Sequence, residues 1–172
     1  YQIQELERME HHSRLHRQAS QLTYELSLLT QAQWSNALAY QATQDPQLIE
    51  RFNQREQEID QKTAVLTHLF DHEEHYAHRL GSSDALLMES YQLLRTGHRD
   101  LYDNFLSAIA TGNRERQASL IPLLIDRAGL ARAALADLTN YHRSTMTRFA
   151  ADQDAGERRA NILFLALLGA LV

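Results

Sequence analysis

Cysteine is absent from the 172 residues. Disulfides, thiolate nucleophiles and thiolate metal sites are therefore excluded, although the redox compartment is not fixed by this. Proline occurs twice and glycine six times, so little in the chain interrupts a helix. Lysine occurs once, at Lys62, and the remaining cations are arginines interspersed with acids. The formal net charge of -5 leaves no basic stripe of the kind that nucleic acid requires. No secretory leader pattern opens the chain. A glycine-rich phosphate loop is missing, as is any strained turn presenting a nucleophile, so an enzyme is not expected.

What is present is helical punctuation. The length suits one domain with a real core. His12, Leu15, Ala19, Leu22, Leu26 and Leu29 recur at steps of three and four, the seam of a packed first helix. Asp45-Pro46 reads as an N-cap followed by a proline at the first helical position. A second helix follows, with Ile49, Phe52, Ile59, Thr63, Leu66, Phe70, Ala77 and Leu80 on one face. Gly81 to Asp84 joins a C-cap glycine to N-capping residues. The third helix carries Leu87, Tyr91, Leu94, His98, Leu101, Phe105 and Ala108, and Thr111-Gly112-Asn113 ends it. The fourth carries Ile121, Leu124, Ala128, Ala131, Leu135, Leu138, His142, Thr145 and Phe149, with Pro122 marking a kink or a separate first piece. The predicted helices cover about 1–44, 46–80, 84–111 and 114–159. Short connections make them an all-α, antiparallel up-down-up-down four-helix bundle, long in its first and fourth helices.

The chain ends on an apolar run, 160–172, in which Asn161 is the sole polar side chain and which Arg158-Arg159 precedes. Thirteen helical residues rise about 20 Å, short of the roughly 30 Å hydrocarbon core of a bilayer. With Tyr1 in place of an initiator methionine, the expectation is a piece of a longer membrane protein. Residues 1–159 then form the folded domain and 160–172 start a transmembrane helix. The alternative is an apolar helix folded back onto a soluble bundle.

Two stretches carry a family resemblance. Residues 37–52, ALAYQATQDPQLIERF, join a helix end, a Gln-Asp-Pro step and a helix with an early aromatic. Residues 110–118, ATGNRERQA, place a Gly-Asn step before charged residues and alanine. Together with the whole-chain architecture they resemble the four-helix-bundle extracytoplasmic sensor domains of bacterial chemoreceptors and sensor histidine kinases. The resemblance implies a periplasmic input domain of a transmembrane signalling receptor in the inner membrane. It also implies a homodimer, and a small-molecule ligand held between helices near the distal half. Amino-acid-binding members place arginines on the first helix near the distal turn. Here the matching stretch offers Gln33, Trp34, Asn36, Tyr40 and Gln41 and no arginine, so a ligand held that way does not carry over.

Candidate sites come from side-chain chemistry. Tyr24, Trp34, Tyr40, Arg95, Arg99, Arg127 and Arg132 are candidate ligand-binding residues. The arginines suit an anion, or else serve as exposed salt-bridge partners. The small residues from Ala128 to Ala136 leave room for a ligand beside Tyr24 or allow close packing. Nine histidines gather toward one axial level. His12 and His78 lie equally far from Asp45, and His142 lies a similar distance beyond Gly112. An inward group of His12, Glu73 and His142, brought together by axial level and helix phase, or an outward patch of His68, His72 and His75 at steps of three and four, is a candidate Zn, Cu or Ni site. Otherwise these histidines form a hydrogen-bonded polar layer, a solvated face or a pH-responsive element. No resident cofactor is expected apart from such a divalent metal. His72-Glu73-Glu74-His75 lacks the spacing of a zinc-protease helix. The functional expectation is a ligand sensor that signals by displacement of the fourth helix. The alternatives are a histidine-rich metal-binding bundle and a structural or partner-binding bundle.

Overall fold

A computed structural model describes the backbone of residues 2–77 and 83–169, and the side chains of residues 10–69, 86–156, 158, 159 and 162. Four helices account for the described backbone: α1 (Gln2–Thr43), α2 (Pro46–Ala77), α3 (Ser83–Ala110) and α4 (Arg114–Gly169). They form an antiparallel four-helix bundle. Cross-helix pairs fix the directions: Glu25 meets Lys62, Asn53 meets Tyr102, Asn104 meets Arg116 and His16 meets His142. Close backbone packing joins α1 to α2, α1 to α4 and α3 to α4. Side-chain polar groups supply much of the bridge between α2 and α3.

The two distal turns obey different capping chemistry. At the second, Gly112 takes φ 65°, Asn113 N bonds Ala108 O and Gly112 N bonds Ile109 O, a Schellman motif. Asn113 then caps α4 by accepting from Arg116 N at 3.0 Å. At the first turn no glycine is present, and Gln44 itself adopts φ 57°. A non-glycine in that region costs about 1–2 kcal/mol. Its backbone N donates to Tyr40 O at 2.7 Å, and its side-chain amide donates to Tyr40 O and Gln41 O at 3.2 Å each. The side chain therefore caps the carbonyls that the helix end leaves open. Asp45 caps α2 as its sequence position implies, accepting from Gln47 N at 3.0 Å.

The apolar core falls into two blocks. A distal block contains Ala37, Tyr40, Phe52, Tyr102, Phe105, Leu120 and Leu124. A second block, nearer the chain ends, contains Ala19, Leu26, Ile59, Leu66, Met88, Tyr91, Leu135 and Leu138. The α1 seam matches the expected one in part, with Ala19 and Leu26 buried. Leu15, Leu22 and Leu29 are only half-buried, whereas His16, Thr23 and Thr30 are buried. α1 packs against both α2 and α4, so its buried arc is centred between the two rows and the leucines flank it. Thr23 and Thr30 satisfy their hydroxyls on the carbonyls of Ser20 and Leu26.

α4 is one helix throughout, and Pro122 neither splits it nor begins a separate piece. Pro122 and Ala118, whose carbonyl loses its partner, are both exposed, so water replaces the missing bond. The helix runs on past residue 159 into the apolar run, as far as Gly169. Among the described residues no helix is long and apolar enough to cross a membrane. The side chains of the apolar run other than Ile162, the residues 78–82 between α2 and α3, and Val172 lie outside the description.

Candidate functional site

Between the two apolar blocks every helix seam turns polar or small at the same height. Thr30 and Gln33 occupy it on α1, Glu56 on α2, Arg95 and His98 on α3, and Ala128 on α4. Each follows an apolar seam residue by three or four positions, so the periodicity that builds the core places them inside. Arg95 Nη2 donates to Glu56 and, at 3.0 Å, to Asp60 Oδ1. Arg99 reaches Asp60 Oδ2 at 3.1 Å. Glu56 Oε2 accepts from Gln33 Nε2 at 2.5 Å, and Gln33 Oε1 lies 3.4 Å from His98 Nε2. The layer thus joins three helices through two carboxylates, two guanidiniums, an amide and an imidazole.

Bonding rules settle the protons. A carboxylate only accepts, so the Gln33 amide nitrogen must face Glu56 and its oxygen must face His98. His98 Nε2 then carries the hydrogen, and Nδ1 is a bare acceptor. Burial, and then the Arg95 charge, push the His98 pKa down to about 4, so the ring is neutral at pH 7. Among the described residues, His98 Nδ1 and Arg95 Nε and Nη1 are buried without a hydrogen-bond partner, in residues only 3% and 9% exposed. Such spare valence is costly unless water fills it.

A second polar layer lies toward the chain ends. His16 Nδ1 and His142 Nδ1 are 2.9 Å apart, so one donates and the other accepts. Burial, then the neighbouring His16, push the His142 pKa down to about 4. One turn back along α4 and two turns on along α1, the hydroxyls of Thr139 and Thr23 bond at 2.7 Å. Of the expected inward group, His142 pairs with His16, and the half-buried His12 stacks on Phe149 with ring centroids 6.3 Å apart. Their seam positions on α1 differ by one turn, and the deeper one belongs to His16. The side chains of Glu73, His72 and His75 lie outside the description, and His68 is exposed. Among the described residues, no three His, Asp or Glu side chains are placed to hold a metal ion.

Toward the same end, α1 and α4 enclose an open groove of two adjoining basins, about 450 and 360 Å³. Arg17 and Met146 line both. Arg14 and Phe149 border the first, and Tyr24, Thr139 and Arg143 border the second.

The candidate ligand residues do not converge. Tyr24, 59% exposed, lines the groove, whereas Tyr40 is part of the distal core. Trp34 is half-buried elsewhere on α1. Arg95 and Arg99 belong to the mid-bundle layer, and Arg95 is a buried partner rather than an exposed one. Arg127 is exposed beside Gly97, and Arg132 is half-buried with its Nε unpartnered. Ala128 and Ala131 are buried, so the small-residue stretch serves close packing there. The residues that the sequence reading passed over are Gln33 as a network member, Glu56, Asp60 and His16. A charged residue set between Phe52 and Ile59 at steps of four and three was the available signal.

Fold and sites together define an antiparallel all-α bundle with two buried polar layers and one basic groove. No family model, curated protein or solved structure matches this chain.

Proposed function

We propose that this bundle is the periplasmic, ligand-sensing input domain of an inner-membrane signalling receptor of the chemoreceptor or sensor-kinase type. It acts as a homodimer and passes a displacement of α4 into the bilayer. One observation carries this reading: α4 is unbroken from the distal turn to Gly169. His12 of α1 lies level with Phe149 of α4, and the apolar run begins about three turns further along the same helix. A rigid helix shared by the core and that run transmits a shift of one to the other. A ligand drives such a shift only by favouring one of two packings. Exposed leucines at heptad spacing, Leu86 and Leu93 on α3 and Leu123 and Leu130 on α4, supply apolar surface for the second copy.

The absence of cysteine makes the test direct. The full chain, labelled at Gln18→Cys and Thr147→Cys, is placed in vesicles and the distance between labels is measured. Organic acids, amino acids and divalent metals are first screened for compounds that raise the melting temperature. A stabilising compound is expected to change the α1–α4 distance by about 1–2 Å. No stabilising compound across a broad library, or stabilisation with an unchanged distance, rejects the sensor reading.

A further inference from the structure

The groove between α1 and α4 concentrates positive charge that the fold leaves uncompensated. Arg14, Arg17 and Arg143 all line it and all are exposed. None of them makes an ion pair among the described residues, in contrast to Arg95 and Arg99. Helix spacing offers Arg17 and Arg143 no relief. The positions three and four away from Arg17 are Ser13, Arg14, Ser20 and Gln21, and those around Arg143 are Thr139, Asn140, Met146 and Thr147. Among the described residues, Glu10 is the single acid on the groove wall. In a chain of net charge -5, three guanidiniums facing one groove against a single carboxylate are a local reversal of the protein's own sign.

The walls between these charges are not polar throughout. Met146 lies in both basins, and Phe149, half-buried, closes the first while stacking on His12. Basins of this size hold small organic molecules. A guanidinium presents a planar fork of donors that matches a carboxylate or phosphate.

We propose that the groove binds an amphipathic organic anion. Its carboxylate or phosphate head is clamped between Arg17 of α1 and Arg143 of α4, with Arg14 as further countercharge. Its apolar body rests on Met146 and Phe149. This deepens the sensor reading by naming the ligand class, and it rests on that reading for the signalling consequence alone. An anion joined to both arginines draws α1 and α4 into one packing. The same head group is offered by a soluble organic acid or phosphate ester and by an anionic lipid.

Calorimetric titration of the full chain compares phenyl phosphate with inorganic phosphate, which supplies the head alone. Phenyl phosphate is expected to bind more tightly. The Arg17→Gln/Arg143→Gln pair is expected to weaken it about tenfold or more, a loss in keeping with a charge-assisted hydrogen bond. Arg51→Gln, on exposed α2 surface away from the groove, is expected to bind as the parent does. Circular dichroism melting of each variant separates lost binding from lost folding. Vesicles then identify the source. Displacement of phenyl phosphate by phosphatidylglycerol but not by phosphatidylcholine supports the site with a lipid head group, and no displacement by either supports it with a soluble one. Equal binding of the two phosphates, or an intact fold with unchanged binding in the double variant, overturns the proposal. Anion binding that leaves the α1–α4 label distance fixed keeps the groove and rejects the sensor. A stabilising compound that moves the labels while no anion binds does the reverse.

Discussion

The mid-bundle layer and the α1/α4 groove both contain arginines, and they treat them in opposite ways. Arg95 is withdrawn from water and held by Glu56 and Asp60, with Gln33 and His98 completing the layer. Arg17 and Arg143 stay in water, face a cavity and have no acid beside them. Burial forces compensation, because an ion removed from water without a partner costs several kcal/mol. Exposure removes that pressure, since solvent already screens the charge. The lesson is that an arginine's neighbours report different things at different depths. In the core they report what folding requires, and at the surface an uncompensated cluster reports what folding does not need.

The largest expected effect breaks the layer. Arg95→Ala leaves Glu56 buried without its cation and is expected to cost about 3–5 kcal/mol in urea denaturation. A loss below about 1 kcal/mol would mean that water serves the carboxylate as well as the guanidinium does.

The next effect depends on pH. His98 and His142 are held at about 4 in the folded chain, each chiefly by burial. Once unfolded they take up protons near 6.5. Between these values the unfolded chain binds more protons, so stability is complete above pH 6.5 and falls as pH drops through the window. From pH 6.5 to 5 the expected loss is roughly 1–2 kcal/mol per histidine, read from urea midpoints. His98→Leu should flatten that slope. An unchanged slope would place the titrating groups elsewhere.

Smaller still is the effect of an ion pair without burial. Lys62 and Glu25 meet at 2.6 Å across α1 and α2 while both remain partly exposed. Their hydrogen bond holds the Glu25 carboxyl below its usual range and the Lys62 amine above its own. Lys62→Met is expected to cost about 1 kcal/mol or less in the same denaturation assay, which would show that depth rather than pairing sets the scale. The groove marks the other end of the comparison. Arg17→Gln/Arg143→Gln is expected to move stability by no more than about 0.5 kcal/mol, as exposed substitutions generally do. A large destabilisation there would make the groove a structural element.

Much of the fold was legible in advance. Asp45-Pro46 and Gly112-Asn113 mark turns because capping chemistry is local, and both turns lie where those residues put them. Steps of three and four identified the buried faces of α3 and α4, from Tyr91 to Phe105 and from Leu124 to Leu138. α1 was harder to read, because Leu22 and Leu29 look like seam residues although Thr23 and Thr30 lie deeper. A helix touching two neighbours has its buried arc set by both, and no single helix encodes that angle. The candidate sites were the least legible. Arg95 was singled out, but its carboxylate partners on α2 and the amide on α1 are far from it in sequence.

The sequence by itself determined that the described residues form four helices, where α1 and α3 end, and that the outer parts of α1 and α4 share one pole of the bundle. These follow from backbone capping, apolar periodicity and helix length, which act over a few residues at a time. Tertiary structure alone decided that His142 meets His16, that Arg95 is enclosed, and that Arg17 and Arg143 face the same groove. Those outcomes depend on axial register and rotation between helices, which are set by the packing of all four at once.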